Sequence, residues 1–198
     1  MEEKQGMRIE AESLLLLGRD AIERGAYVEA LTLVYGIIYQ FPKWGPAYNL
    51  KGWLCANVFN DLEEADESYR EALSLSPDHI PTYLNYAVLL NKMGAFDALT
   101  ELLDKALEQQ GIDKVQVYHE FGIMCEKQGR YEEAVTAYLE AIRHTLKAEE
   151  VAYFNDAVNR CTLKQEVLAD PYRSGGRPFF NPDIQRNLGS EKRLASSG

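Results

Sequence analysis

Residues 115–148 read VQVYHEFGIMCEKQGRYEEAVTAYLEAIRHTLKA, and the spacing inside this stretch decides the fold. Tyr118, Phe121 and Cys125 recur at three- and four-residue steps, which puts them on one face of a helix. Gly122 stands beside them, a small residue where a second helix can approach closely. Gly129 reverses the chain. Ala134 and Ala141 then place small residues on one face of a second helix, with Tyr138 filling the space between them. The result is a helix–turn–helix unit whose apolar faces are buried only by neighbours of the same kind.

Working upstream, the same pattern returns three times. Residues 80–114 carry Tyr83, Tyr86, Ala87, Leu90, Gly94, Leu103 and Ala106. Residues 45–79 carry Tyr48, Gly52, Cys55, Ala65, Tyr69, Ala72 and Pro77. Residues 11–44 carry Leu14, Leu17, Gly18, Ala21, Gly25, Ala30, Val34 and Pro42. The small residues Gly18, Gly52, Ala87 and Gly122 are 34, 35 and 35 apart. Pro42 and Pro77 stop the second helices, because proline cannot continue one. Pro46 and Pro81 fall in first turns, where a missing N–H costs nothing. Some positions depart from the pattern. The second unit holds an extra residue near 58–61, expected in its turn. Lys51 replaces an apolar residue, and Ile37 and Leu99 replace small ones.

Tandem copies of this kind resemble the tetratricopeptide repeat, with its W-x2-L-G-x2-Y…A-x3-F…P pattern, across residues 11–148. The resemblance implies an all-α, right-handed solenoid of four helix–turn–helix repeats, 11–44, 45–79, 80–114 and 115–148. Residues 149–170 follow with Val151, Phe154, Val158, Cys161 and Leu168 spaced as one helical face. They are expected to form a capping helix, since the end unit of such an array needs its open face covered. Asp170-Pro171 disfavours further helix. Residues 171–198 contain Pro171, Pro178, Pro182 and Gly175-Gly176 and are expected to be a flexible basic tail. Phe179-Phe180 is an apolar spot within it, either untethered or a docking motif for another protein or for the chain's own groove.

The resemblance also implies the working surface. In this family the first helices line a concave groove, and ligands meet their second, fifth, ninth, twelfth and thirteenth positions. The fifth positions here are Leu15, Asn49, Leu84 and His119. The ninth are Arg19, Trp53, Val88 and Ile123. The twelfth and thirteenth contribute Asn91, Asn57 and Lys127. Trp53, Leu84, Val88 and Ile123 form an apolar strip, the kind of exposed surface that marks an interaction site. The asparagines beside it suit an extended peptide backbone. His119 is read as either a groove residue or a merely exposed one. The lysine–asparagine–arginine clamp by which some family members hold acidic chaperone tails is not reproduced: Leu15, Leu50 and Pro81 stand where it would be.

Composition points the same way. Net charge is −10; from residue 171 on, five bases face two acids, so residues 1–170 carry −13. An acidic body argues against nonspecific nucleic-acid binding. Apolar runs such as 14–17 are far short of the roughly 20 residues of a membrane span, and the charged start lacks a secretory leader, so the expected address is cytoplasmic. Cys55, Cys125 and Cys161 are too few and too far apart for a disulfide framework and are expected to be buried. No metal-ligand spacing, phosphate loop or dinucleotide fingerprint occurs, and His79, His119 and His144 lie in different units. The expectation is a non-catalytic adaptor or chaperone, without cofactor or metal, binding a segment of another protein. The alternative is a structural subunit whose groove is filled by self-association or by its own tail.

Overall fold

The computed structural model describes residues 2–169, which form nine α-helices and one π turn among the described residues. The helices are α1 (Glu2–Glu23), α2 (Tyr27–Gln40), α3 (Gly45–Leu54), α4 (Leu62–Leu75), α5 (Ile80–Met93), α6 (Phe96–Leu107), α7 (Lys114–Lys127), α8 (Tyr131–His144) and α9 (Ala148–Ala169). Consecutive helices pack as pairs: α1 with α2, α3 with α4, α5 with α6, and α7 with α8. Each pair also meets the next, through α2–α3, α4–α5 and α6–α7, and first helices touch across pairs in α3–α5 and α5–α7. This is an all-α helical repeat architecture. No described helix is long and apolar enough to cross a membrane.

Small residues set the distance within each pair. Gly52 lies against the ring of Tyr69 and Gly122 against that of Tyr138; the Cβ absent from Gly52 would sit 2.9 Å from a ring carbon. Ala65, Ala72, Ala134 and Ala141 have no exposed surface. Leu99 and Ile37, large where other units are small, are equally buried. Lys51 sits on a packed face because its ammonium pairs with Glu64 and lies 5.6 Å from the centroid of the Tyr35 ring. The aliphatic stem packs while the charge finds partners.

The turns are built alike, with one exception. Gly25, Gly94 and Gly129 take the left-handed conformation, at φ of 74°, 72° and 74°, that ends a helix and reverses the chain. Asn60, at φ 54°, does the same in the second unit. The extra residue of that unit is not in the turn as expected. It is absorbed one step earlier, in a π turn over Cys55–Phe59 that continues α3. The closing hydrogen bond shows the shift: Ala26, Ala95 and Arg130 donate to carbonyls five residues back, whereas Asp61 donates to Cys55, six back, at 2.9 Å. Tyr48 and Tyr83 repeat a second device, each hydroxyl donating to a loop proline carbonyl, Pro42 at 3.0 Å and Pro77 at 2.8 Å.

The core divides in two. One cluster, including Leu15, Val34, Ile37, Leu50 and Leu54, lies under α1–α3; the other runs from Cys55 to Cys161. The first helix begins at Glu2, upstream of the first repeat at 11–44. α9 buries Phe154, Ala157 and Cys161 and half-buries Val151 and Val158, but Leu168 is exposed and not part of that face. Residues 171–198 lie outside the described residues.

Candidate interaction face

The first helices place their ninth and thirteenth positions side by side, because residues four apart share a helix face. Trp53 and Asn57, Val88 and Lys92, and Ile123 and Lys127 are three such pairs on α3 with its π turn, α5 and α7. Val88 is 52% exposed and belongs to neither core cluster. Trp53 and Ile123 are half-buried, and Trp53 leans on the first core cluster. Arg19, the matching residue on α1, is exposed. Leu84 is half-buried and packs against the larger core.

Three of the expected groove residues are corrected by their burial. Leu15 is part of the first core cluster, enclosed as α1, α2 and α3 come together. Asn49 is buried and its Oδ1 accepts a hydrogen bond from Asn85 at 3.0 Å. Asn91 is buried and its amide donates to the carbonyl and carboxylate of Glu120, at 3.0 and 2.6 Å. Both asparagines therefore tie neighbouring first helices together instead of facing outward. Buried polar groups need such partners. The Asn91 Oδ1 has none among the described residues.

His119 is half-buried against α9 rather than merely exposed. Its Nε2 lies 3.1 Å from the Tyr153 hydroxyl, and its ring meets Tyr153 and Phe154 edge-on. Burial lowers its pKa, with Glu120 opposing. The residue is a contact for α9. Lys127 and Lys92 reach back across the stack. Lys127 Nζ donates to the Asn91 carbonyl at 2.5 Å, and Lys92 Nζ donates to the Ala56 carbonyl at 3.1 Å and to Asn60 Oδ1 at 3.0 Å. Each serves a carbonyl near the end of the preceding first helix, where intrahelical partners run out. Asn57 is exposed, and its amide donates to the Trp53 carbonyl at 2.9 Å.

At the C-terminal end, Glu126 accepts from Arg160 Nε and Nη2 and from Lys164 Nζ, all at 2.8 Å, and from the Tyr138 hydroxyl at 3.1 Å. The Arg160 guanidinium first, then Lys164 and Tyr138, hold its carboxyl down at about 2 against the opposing effect of burial. This ion cluster fastens α9 to α7. No sequence motif marked it, since its members are 34 and 38 residues apart. A cavity of about 700 Å³ opens elsewhere, lined by Arg8, Phe41, Trp44, Ser76, Asp78 and His79 among others. No group of three or more metal-ligating side chains occurs among the described residues, and the three cysteines are free and buried.

Comparison with known proteins gives consistent matches. The tetratricopeptide repeat profile matches residues 45–79 and 115–143. Tetratricopeptide repeat protein 7A of Homo sapiens is 29% identical over 102 residues, 52% of this chain and 12% of that protein. The chain spans only about a tenth of the length of the curated relatives it matches. Among solved structures, Pseudomonas aeruginosa pilF superposes with a TM-score of 0.69 at 16% identity, over 87% of this chain and 79% of that one. A thermophilic TPR protein of Thermus thermophilus superposes at 0.62 and 19% identity, over 75% and 81%.

Proposed function

Since the chain belongs to the tetratricopeptide repeat family, whose repeats are non-catalytic scaffolding units, we propose that it binds a segment of another polypeptide on the face built by its first helices. Four repeats and the capping helix α9 form the scaffold in this reading. The observation that carries it is the row Trp53, Val88 and Ile123. These residues lie at one repeat position on three successive first helices, and Val88 is 52% exposed without belonging to the core. An apolar row at a fixed repeat position, open to solvent at Val88 and half-open at Trp53 and Ile123, suits a surface with work to do beyond folding.

The test is substitution in that row, with folding and binding read separately. Val88→Asp puts a charge where an apolar contact is expected and touches no core cluster, so its thermal midpoint should stay near wild type while partner capture falls. Trp53→Ala should weaken capture about thirtyfold, as an aromatic anchor worth about 2 kcal/mol does. Its melting point should also drop, because Trp53 leans on the first core. Unchanged capture by both variants would move the working surface elsewhere.

A further inference from the structure

The middle of the stack sorts its charges by helix. α3 with its π turn, α5 and α7 carry four lysines against two glutamates. α4, α6 and α8 carry eleven acids against three bases. Of the two glutamates, Glu120 is buried against Asn91 and Glu126 is enclosed by Arg160 and Lys164. Lys51 is neutralised by Glu64. α1 is net acidic, with six acids against three bases, so the uncompensated positive charge is confined to the α3, α5 and α7 part of the face, in a chain whose net charge is −10.

That charge has a definite place. Lys92 and Lys127 are exposed, and every acceptor that their ammonium groups meet is a neutral oxygen: the Ala56 and Asn91 carbonyls and Asn60 Oδ1. Neither lysine is in a salt bridge among the described residues. An ammonium has three donors, so each lysine keeps one or more for a ligand. Two tracks thus run across the helices, an apolar one through Trp53, Val88 and Ile123 and a donor one through Asn57, Lys92 and Lys127.

The usual separation of packed helices suits one ligand conformation. α3, α5 and α7 touch in succession, and packed helices lie about 8–10 Å apart. A polyproline II segment has three residues per turn and rises about 3.1 Å per residue, so one of its faces repeats about every 9 Å. A β-strand repeats its face about every 6.7 Å and falls out of step after one helix.

We infer that this face takes an acidic segment in the polyproline II conformation, with an apolar side chain every third residue on the Trp53–Val88–Ile123 track and a carboxylate beside it on the Lys92–Lys127 track. The inference rests on the first-helix face being the binding surface.

Three fluorescein-labelled dodecapeptides test it by anisotropy: four repeats of Leu-Pro-Glu, four of Leu-Pro-Lys, and six of Leu-Glu. The Leu-Pro-Glu peptide should bind at least tenfold tighter than either of the others, and more weakly as salt rises. Lys92→Glu with Lys127→Glu should reverse the preference between the first two. Lys92→Gln with Lys127→Gln, milder on the carbonyl contacts, should abolish the preference, with circular dichroism showing both variants folded. Equal or tighter binding of Leu-Pro-Lys by the unaltered protein would overturn the charge assignment. Equal binding of Leu-Glu would overturn the three-residue period. Binding of none of the peptides would overturn the inference as a whole. Cross-linking from Val88, described below, judges the wider reading of the face independently.

Discussion

Gly122 has room for a hydrogen and nothing more. A Cβ there would enter the ring of Tyr138, which is buried and whose hydroxyl is held by Glu126 at 3.1 Å. At Gly18 the nearest atom to an added Cβ is the tip of Leu50, Cδ2, at 3.3 Å, and a leucine tip can turn aside. Gly122→Ala should therefore destabilise by about 1–3 kcal/mol through overpacking, while Gly18→Ala should be close to neutral or slightly stabilising, since alanine favours helix by about 1 kcal/mol. Thermal melting of the two variants decides the matter; equal midpoints would mean that the Tyr138 ring is not fixed. These small positions were legible in the sequence because they recur at a constant spacing. The burial of Leu15, Asn49 and Asn91 was not. Their repeat positions face the groove in the family pattern, but here the neighbouring first helix covers the asparagines, and nothing local in the sequence records which face a neighbour will cover.

Among the elements, α9 shows how a sequence can announce a helix and conceal its fastening. The periodic face of Phe154 and Cys161 was readable. The cluster of Glu126 with Arg160 and Lys164 was not, because charged residues on a helix are ordinarily solvated and the partners are remote in sequence. Its pH dependence has a fixed sign. The Glu126 carboxyl titrates at about 2 in the folded protein and near the ordinary value of 4.5 in the unfolded chain. The stability it lends is therefore present above the ordinary value and lost as pH falls from there toward 2. Glu126→Gln should lower stability at neutral pH by about 1 kcal/mol, a modest figure because Arg160 and Lys164 are about half exposed. The gap between variant and wild type should narrow on acidification, as thermal melts at pH 7 and pH 3 would show. A gap independent of pH would assign the effect to packing. The π turn at Cys55–Phe59 teaches a similar lesson. The extra residue was countable, but its place was set by Asn60, which can adopt the left-handed turn itself, and so the insertion moved back into the helix.

At the scale of the whole molecule, the stack is a one-dimensional array in which each unit depends on its neighbours. Deleting residues 148–198 uncovers the faces of α7 and α8 that Phe154 and Cys161 bury. Loss of Phe154 alone removes about 1.5–3 kcal/mol of apolar burial, so this truncation should melt lower and aggregate. Deleting 171–198 should leave helical content and midpoint near wild type, because that segment has no periodic apolar face; a large fall would make it part of the folded unit. The array was legible because repetition multiplies a weak signal. The proposed face was legible only in part: the register places Val88, Ile123 and Lys127 at its positions, whereas only the packed stack shows that Lys92 and Lys127 meet neutral oxygens and no carboxylate.

The most direct measurement is site-specific photo-cross-linking in the native cell, with a benzophenone amino acid placed at Val88 on the first-helix face or at Tyr39 on α2. Both positions are open, at 52% and 89% exposure. The expected result is a discrete adduct from Val88 whose mass exceeds one chain by that of a different polypeptide, lost in the Ile123→Asp background, and no such adduct from Tyr39. An adduct from Tyr39 with none from Val88, or a Val88 adduct consisting solely of this chain, would contradict it.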